Sequence, residues 1–450
     1  MVKFWTAVLK KLRNMVVILE RSLGGQKTGW EAQITEMGKQ VIVAGGGASG
    51  MAAAIMAARK GSQVTILEHM DRVGKKLLST GNGRCNLTNL KMGKECYRSD
   101  QKGFPMKVLE RFGVKETLAF FEGIGVLTKD KNGYVYPNSE QAAAVLDLLR
   151  LELGRLGVKI ILGCQVKRIG RNRIREGFLA ETSLGDFEGA AVILASGSRA
   201  AAFTGSDGSG YELVRQLGHR VIVPLPALVQ LRCEGKYFKQ LAGVRCEAKV
   251  FLYSGAKRLA WDQGEVQLTD YGISGIPVFQ VSRFASRALY GKQPVRAVVD
   301  FLPTMDTDSA RVFLQQRRKR LGHLKCGDFL TGILHKKLAA VLLKLTGISA
   351  EQEAGMVPED QWERLLVKIK AFDAIVTGTN SFEQAQVCCG GVDTREICPD
   401  NLESRLIPGL YIVGELLDVD GICGGYNLQW AWSTGCLAGS SAGECNMGGA

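Results

Sequence analysis

A glycine-rich turn between two apolar runs constrains the fold of this chain more than any other feature. The run Gln40–Ala44 leads into Gly45–Gly50, which has the spacing G-x-G-x-x-G and opens a stretch of small residues. A second run, Gln63–Leu67, then delivers Glu68. This order predicts strand, helix and strand, with an acid about 20 residues after the glycines, the arrangement that holds a dinucleotide.

Each part of this fingerprint has a physical role. Gly45 permits the tight turn, Gly47 lets the backbone approach the pyrophosphate, and Gly50 lets the helix pack on the strand. The helix N-terminus stabilises the phosphates through its unpaired N–H groups and positive dipole end. A carboxylate at Glu68 accepts hydrogen bonds from a ribose, which favours FAD or NAD over NADP. The flanking strands and the acid weigh against the alternative, a purely structural glycine-rich turn.

Composition sets broad bounds on the protein. The 450 residues are 46% hydrophobic, enough for a sizeable core and two or three domains. A net charge of +14 suits an anionic ligand, whether a pyrophosphate, a carboxylated substrate or a nucleic acid, and selects none of them. The 12 cysteines form no regular framework, which favours a reducing, cytoplasmic setting. The four histidines show no metal-ligand spacing, so no metal site is predicted.

The first 38 residues lie outside this pattern. Lys10, Lys11 and Arg13 interrupt their apolar patches, so we expect neither a membrane span nor a signal peptide. We interpret residues 1–38 as an N-terminal extension, with the fold beginning near Met37. A surface-lying amphipathic helix is the alternative.

The rest of the chain divides into regions that differ in their apolar pattern. The patterns predict helices over residues 107–123 and 141–156, and short alternating strands of a small barrel or sandwich from about residue 224 to 303. Residues 306–371 are helical and basic, and include the run Arg317–Arg320. A closing apolar strand, Leu410–Val413, precedes a helix from about Asn427 to Ala442.

This closing strand and helix predict the second half of a flavin site. The strand runs into Gly414 and Glu415, so that Glu415 or Asp418 is placed to bind a ribityl hydroxyl. The N-terminus of the last helix would face the pyrimidine end of the ring and favour the negative charge of reduced flavin.

Several motifs resemble those of the BaiN/YhiN-type flavoproteins, also known as aminoacetone oxidase family FAD-binding enzymes. They occur in the family's order, from residue 39 to the C-terminus. The matching stretches are Gly45–Gly50, Thr80–Asn86, Val135–Pro137, Gly205–Gly210, Leu217–His219, Pro226–Val229, Gly272–Gly275, Leu402–Ser404 and Gly409–Gly435.

The resemblance implies an α/β fold: a Rossmann-like FAD-binding domain assembled from both chain ends, with an inserted β-barrel-like domain carrying a helical insert. The expected segments are 39–223 and 390–445 for the FAD-binding domain, 224–305 and 372–389 for the barrel-like substrate domain, and 306–371 for the helical insert. By position, the implied FAD contacts are Gly45, Gly47, Ala48, Ser49, Gly50, Glu68, Lys75, Lys76, Gly81, Asn82, Gly83, Arg84, Cys85, Asn86, Val166, Gly197, Glu415, Asp418, Gly424, Gly425, Tyr426, Asn427 and Leu428. The chain departs from the family at Ser196–Ser198, where relatives commonly carry Thr-Gly-Gly.

For a chain this close to the bile-acid-inducible branch, the resemblance implies reduction of a C=C bond conjugated to a ketone in 3-oxo-Δ4 or Δ4,6 bile acid intermediates. No second G-x-G-x-x-G occurs, so we expect NAD(P)H to dock transiently as the donor. Tyr136 and Tyr426 are acid candidates by residue type and motif position only. Flavin or core packing is the preferred role of each, so no catalytic residue is assigned. Cys85 is either a redox thiol or, by preference, a packed small residue.

Two other functions remain open from sequence. One is an amine or aminoketone oxidase in which oxygen reoxidises the flavin. The other is a nucleic-acid-associated flavoprotein with Arg317–Arg320 as a phosphate-binding patch, against which a solvated helix face is the preferred reading. We expect a small, anionic, bile-acid-like substrate, no nucleic-acid partner, no transmembrane segment, and homo-oligomers, if any, formed through the helical insert.

Overall fold

The computed structural model describes residues 38–172 and 176–444. The predicted N-terminal extension therefore lies outside the described residues, except for Gly38. Within the described part of the chain, no helix has both the length and the apolar character needed to cross a membrane.

The described chain alternates between strands and helices. The strands are β1 (Gln40–Ala44), β2 (Gln63–Leu67), β3 (Thr88–Asn89), β4 (Tyr97–Arg98), β5 (Thr128–Lys131), β6 (Tyr134–Pro137), β7 (Lys159–Ile161), β8 (Val166–Arg171), β9 (Phe178–Thr182), β10 (Gly185–Gly189), β11 (Ala191–Leu194), β12 (Val221–Ala227), β13 (Leu231–Cys233), β14 (Arg245–Ser254), β15 (Lys257–Leu268), β16 (Gly272–Gly275), β17 (Val295–Asp300), β18 (Phe372–Thr379), β19 (Val387–Val392), β20 (Leu410–Ile412) and β21 (Asp420–Gly421). The α-helices are α1 (Ala48–Arg59), α2 (Lys75–Ser79), α3 (Phe104–Arg111), α4 (Val114–Gly123), α5 (Ala142–Arg155), α6 (Ser209–Gln216), α7 (Phe238–Leu241), α8 (Ile276–Tyr290), α9 (Thr307–Leu321), α10 (Cys326–Phe329), α11 (Lys336–Thr346), α12 (Glu359–Lys370) and α13 (Tyr426–Gly443). Single 3-10 turns occupy Thr80–Gly83, Lys94–Cys96, Ala202–Thr204, Ala354–Met356, Thr394–Glu396 and Gly414–Leu416.

A five-stranded parallel sheet forms the centre of the first domain. Its order is β20-β11-β1-β2-β7, so the chain builds outward from β1 to one side and then to the other. The side of the sheet to which strands are added changes between β1 and β11, although the two strands are parallel. This change leaves a crevice at their carboxyl ends. The buried strands read as continuous apolar runs because a parallel sheet of this kind is covered on both faces.

The second domain is a closed barrel with the strand order β13-β16-β15-β14-β17-β18. Helices α9 to α12 lie between β17 and β18 in the chain and share one apolar core with the barrel. The pair β12 and β19 connects this domain to the first. The predicted fold class is therefore confirmed, with both chain ends in the Rossmann-like domain and the barrel inserted between them.

One predicted helix is wrong. The pattern over residues 107–123 suggested a single helix, but the structure has α3 and α4 with a break at Phe112 and Gly113. The backbone N–H of Gly113 donates to the Glu116 carboxylate at 2.9 Å, which caps the start of α4. Because this cap uses the N3 residue of the new helix, apolar periodicity alone does not reveal it.

Helix α13 packs directly on α1 through three glycines. A Cβ atom at Gly435 would lie 2.3 Å from the Ser49 carbonyl oxygen. A Cβ atom at Gly439 would lie 2.2 Å from the Ala53 carbonyl oxygen. Gly443 continues the same stripe against Ala57. This spacing of four residues lets the two backbones touch, and it joins the last described helix to the first.

Candidate functional site

A cavity of about 620 Å³ lies at the crevice between β1 and β11 and extends to the barrel domain. The loops after β1, β2 and β11 form one wall, and the start of α13 forms another. The N-terminus of α8 and residues 383–387 close the side that faces the barrel. This is the position at which open α/β sheets bind ligands.

The three glycines of the fingerprint serve different purposes. Gly45 has φ +108°, and a Cβ atom there would lie 2.5 Å from the Ala195 carbonyl oxygen. A Cβ atom at Gly50 would lie 1.9 Å from the Gly45 carbonyl oxygen. Gly47 has φ −77°, and a Cβ atom there meets no described atom within 4 Å. Protein packing thus requires the first and the last glycine, whereas Gly47 keeps open the space into which a pyrophosphate fits.

The start of α1 has the chemistry of an anion site. No side chain caps its first turn, and Ala48 and Ser49 line the cavity. Free N–H groups at the start of a 12-residue helix attract phosphate through their hydrogen bonds and the helix dipole.

Glu68 is held at the end of β2 by two backbone groups. Its Oε2 accepts from the N–H of Gly46 at 2.7 Å, and its Oε1 accepts from the N–H of Met70 at 2.8 Å. The carboxylate still lines the cavity, beside His69 and Arg72. Each carboxylate oxygen has lone pairs left for a ribose hydroxyl, so the fixed position fits the predicted adenosine contact.

The second half of the cavity contains an ion pair that sequence reasoning did not identify. Lys76 Nζ lies 2.6 Å from Glu415 Oε2, and the Ser198 hydroxyl donates to the same oxygen at 3.0 Å. Ser198 belongs to the segment Ser196–Ser198, where the resemblance implied a departure from the family, and here its hydroxyl orients Glu415. Lys76 and Glu415 both line the cavity.

At the start of α13 a glycine allows close packing beside an unpartnered amide. Gly425 has φ +94°, and a Cβ atom there would lie 2.7 Å from the Thr88 carbonyl oxygen. The nearby Asn86 Oδ1 is buried and has no hydrogen-bond partner among the described residues, and Asn86 lines the cavity. A buried acceptor in the cavity wall is suited to an N–H group of a bound ring such as flavin.

The cavity therefore fits FAD, with a phosphate end at α1 and a ring end near α13. Of the predicted FAD contacts, the following line it: Gly45, Gly47, Ala48, Ser49, Glu68, Lys75, Lys76, Gly81, Asn82, Asn86, Val166, Gly197, Glu415, Gly424, Gly425, Asn427 and Leu428. The structure places six others outside the lining: Gly50, Gly83, Arg84, Cys85, Asp418 and Tyr426.

The packing of Gly50 against Gly45 is described above, and the surroundings of the other five explain their positions. Cys85 is fully buried, and burial raises the pKa of its thiol to about 12, so it is a neutral, packed residue. Asp418 is also fully buried and accepts from the backbone N–H of Asp100 at 2.8 Å. The Tyr426 hydroxyl donates to the Lys91 carbonyl oxygen at 2.8 Å. Gly83 and Arg84 are exposed.

The wall formed by the barrel domain was not predicted from sequence. It carries apolar side chains, among them Leu228, Ile276 and Phe279. Gly275 precedes α8 with φ +105°, and a Cβ atom there would lie 2.3 Å from the Glu265 carbonyl oxygen. The motif Gly272–Gly275 was the available signal, because a glycine required before a helix marks where that helix can begin.

Polar contacts along one stripe of α8 fix this wall relative to the first domain. Gln280 Oε1 accepts from the backbone N–H of Cys423 at 3.0 Å, and Arg287 donates to Asp100 at 2.7 Å. Between them, Arg283 Nε lies 2.9 Å from Asp420 Oδ2. The apolar stripe of α8 packs into the barrel core, so the helix connects the two domains across the cavity.

Comparisons with known proteins identify relatives of this chain. The family model described as HI0933-like protein Rossmann domain matches residues 39–441. The chain is 48% identical over 407 residues to a 3-dehydro-bile acid delta(4,6)-reductase of Clostridium scindens, covering 90% of this chain and 99% of the relative. It is 28% identical over 399 residues to a ribosomal RNA dihydrouridine synthase of Haemophilus influenzae, covering 87% and 96% respectively. A solved 3-ketosteroid-delta4-(5alpha)-dehydrogenase of Rhodococcus jostii aligns with a TM-score of 0.45 at 16% identity, over 90% of this chain and 97% of that one.

Proposed function

The chain belongs to the HI0933-like family of Rossmann-domain proteins, and on this premise we propose that it is an FAD-dependent reductase. Its substrates would be 3-oxo-Δ4 or Δ4,6 bile acid intermediates, in which a C=C bond is conjugated to a ketone, and NAD(P)H would be the donor. The 48% identity to a bile acid reductase over 90% of the chain supports this substrate class.

The observation that carries the proposal is the two-sided character of the cavity. One side has a helix N-terminus, Glu68 and the Lys76–Glu415 pair, the groups that suit a dinucleotide. The opposite side has apolar residues of the barrel domain, which suit a flat, polycyclic ligand. FAD, when bound, would supply hydride and electron transfer between donor and substrate.

The residues of the chain would then position the reactants and exclude water. Leu228 and Phe279 would cover the apolar face of the substrate. Lys76 would keep Glu415 oriented toward a ribityl hydroxyl. The net charge of +14 would attract the carboxylate of a bile acid to the protein.

An anaerobic stopped-flow experiment tests the proposal. The purified enzyme is mixed with NADH or NADPH, then with a 3-oxo-Δ4,6 bile acid, while the flavin absorbance is followed. We expect bleaching and then recovery that depends on the bile acid. Recovery only with oxygen would indicate an oxidase instead, and a colourless protein would contradict the flavoenzyme assignment.

A second candidate is the reduction of uridine in RNA, since two relatives are named ribosomal RNA dihydrouridine synthases. Dihydrouridine is uridine with its ring C=C bond saturated, and that bond is conjugated to a carbonyl group. The reaction class would therefore be the same. Recovery of the flavin colour with uridine-containing RNA, and not with the bile acid, would select this candidate.

Two of the four residues of the basic run Arg317–Arg320, the alternative phosphate-binding patch, have a role within the fold. Arg317 donates to the carbonyl oxygens of Phe329 and Thr331, at 2.9 and 3.0 Å. Arg318 donates to the Ala354 and Gly355 carbonyl oxygens and pairs with Glu359. Half of the basic run thus holds the helical insert together, which supports the bile acid over RNA as the substrate.

A further inference from the structure

The proposed reduction needs a proton donor in addition to a hydride source. Saturation of a conjugated C=C bond places a hydride on the β-carbon and a proton on the α-carbon. The barrel-facing part of the cavity is where such a substrate would lie. A donor must therefore be a protic side chain of the cavity wall that lies beside the predicted flavin segments and is protonated at neutral pH.

Strand β6 presents two tyrosines to the cavity. Tyr134 and Tyr136 are two residues apart, so their side chains lie on the same face of the strand, and both line the cavity. Val135 and Pro137 point to the opposite, buried face. The strand lies between two predicted flavin segments, because Tyr136 Cε1 is 3.7 Å from a Cβ position at Gly81 and Tyr134 Cε1 is 2.9 Å from one at Gly424.

The two tyrosines differ in their surroundings. Tyr134 is 41% exposed, whereas Tyr136 is half-buried. The Tyr136 hydroxyl has no hydrogen-bond partner in the part of the chain that the structure describes, and it is therefore available to a ligand. Burial raises the pKa of Tyr136, and the Arg84 guanidinium acts in the opposite direction. Glu140, which lies 3.6 Å from the Arg84 guanidinium, and Tyr134 raise the pKa of Tyr136 further, so the phenol is protonated at neutral pH.

Other protic groups near the cavity are less suited. Tyr426 lies outside the lining, with its hydroxyl committed to the Lys91 carbonyl oxygen. Glu415 is an ion-pair partner of Lys76. Burial raises the pKa of Cys423 to about 12, and its thiol is a weak donor. Glu383 is exposed at the rim.

We propose that Tyr136 is the proton donor for the reaction of the preceding section. Its hydroxyl O–H bond breaks and a C–H bond forms at the α-carbon of the enone, while the β-carbon receives the hydride that the reduced cofactor supplies. The enone gains two electrons and is reduced, the cofactor is oxidised, and the phenolate of Tyr136 regains its proton from water. This inference rests on the proposed function.

The test compares Y136F with Y134F, which removes the matching hydroxyl from the same face of the same strand. Each flavoprotein is reduced with NAD(P)H without oxygen and mixed with the enone, and reoxidation of the flavin is followed. Separately, binding of a saturated 3-oxo steroid, which cannot react, is titrated through its effect on the flavin spectrum. This titration measures whether the substrate site is intact, independently of turnover.

We expect Y136F to reoxidise about 10²- to 10⁴-fold more slowly than wild type, the usual contribution of a general acid. Its reduction by NAD(P)H and its affinity for the saturated steroid should be unchanged. Y134F, whose side chain also lines the cavity, should lose far less of the reoxidation rate than Y136F. A Y136F rate close to that of wild type, or an equal loss in Y134F, would overturn the assignment.

Failure of the proposed function and loss of flavin by Y136F can be distinguished from each other. If wild-type flavin is reduced but the enone does not reoxidise it, the proposed function fails, and the role of Tyr136 fails with it. If Y136F does not retain flavin, the pH profile of wild-type reoxidation decides the question. A protonated donor requires the rate to fall in alkaline buffer as Tyr136 ionises, above the ordinary pKa of tyrosine, and a rate without this fall overturns the proposal.

Discussion

At the scale of single residues, Gly47 is the most direct probe of the cofactor. Its backbone suits any residue, and a Cβ atom there meets no described atom within 4 Å. We expect Gly47→Val to fold normally and to bind FAD about 10- to 100-fold more weakly, because overpacking against a ligand costs about 1–3 kcal/mol. Flavin absorbance of the purified protein and a fluorescence titration with FAD measure this.

Gly103 provides the matched control. It precedes α3, has an extended backbone with φ −170°, and also has no described atom within 4 Å of a Cβ position, but it lies outside the cavity lining. Gly103→Val should keep the flavin content of wild type. Equal flavin binding by Gly47→Val and wild type would contradict the placement of the pyrophosphate.

Asp420 predicts a pH dependence of stability. It is 2% exposed, and burial raises its pKa from 3.8 to about 6, with Arg283 and Arg98 opposing the shift. The folded state then holds a proton that the unfolded state has lost, so the contribution of this group to stability falls as pH rises from 3.8 to about 6. The measurable quantity is the free energy of unfolding in urea as a function of pH.

Asp420→Asn isolates the contribution of this carboxyl. The variant leaves Arg283 without its anion and should be less stable than wild type at pH 7. The difference between wild type and variant should nevertheless change with pH across the same interval, because only wild type titrates there. A difference that stays constant from pH 4 to pH 7 would show that the Asp420 pKa is not raised.

Where one residue type has one physical use, sequence reasoning named residues that line the cavity. The acid Glu68 belongs to a local pattern with the small residues Gly45 and Gly47–Ser49, and the structure places all of these at the cavity. Ser198 and Asp420 depend on partners more than 100 positions away, Glu415 and Arg283, respectively. A single sequence contains no information about such pairs, so they were not identified.

At the scale of secondary-structure elements, the contact of α13 with α1 should tolerate no added methyl group. A Cβ atom at Gly439 would lie 2.2 Å from the Ala53 carbonyl oxygen. We expect Gly439→Ala to destabilise the protein by about 1–3 kcal/mol, the cost of overpacking. The free energy of unfolding in urea, measured with FAD present, gives this value.

Gly154 allows the same substitution in a helix without that contact. It lies in α5, is exposed, and has no described atom within 4 Å of a Cβ position. Gly154→Ala should stabilise the protein by about 0.5–1 kcal/mol, since alanine favours helices more than glycine does. If both variants change stability in the same direction, close packing of α13 on α1 is not the reason for the glycine stripe.

Elements were predictable when their apolar period was regular and their ends carried signals. The structure places α5 at Ala142–Arg155, within the predicted range 141–156. Over residues 107–123 the period continues through a helix break, and only the cap by Glu116 separates the two helices. The residues of α8 in the cavity wall were not among the predicted site residues for a similar reason. Their contribution to the cavity depends on where the barrel places this helix.

At the scale of the whole molecule, the apolar cores of the two domains are separate. Trp430 and Trp432 lie in the core of the Rossmann-like domain, and Trp362 lies in the core shared by the barrel and the insert. The hydrogen bonds and ion pairs from α8 to the first domain lie beside one small apolar cluster, which includes Phe279 and Cys423. We therefore expect two unfolding transitions rather than one.

Excess FAD should raise the midpoint temperature of the Rossmann-like domain's transition and leave that of the barrel domain unchanged. A ligand that binds the folded state at 100 times its dissociation constant stabilises it by about 2.7 kcal/mol. Differential scanning calorimetry with and without FAD, together with the fluorescence of a Trp362→Phe variant, assigns the transitions. A single transition that shifts as a whole would mean that the interface couples the domains completely.

The contact between α1 and α13 also affects how the protein is made. The ribosome produces α1 early and α13 only after the barrel and the helical insert have been synthesised. A nascent chain therefore has the phosphate end of the cavity long before the ring end exists. Full cofactor binding has to wait for translation to reach α13, and chains stopped before it should emerge without flavin.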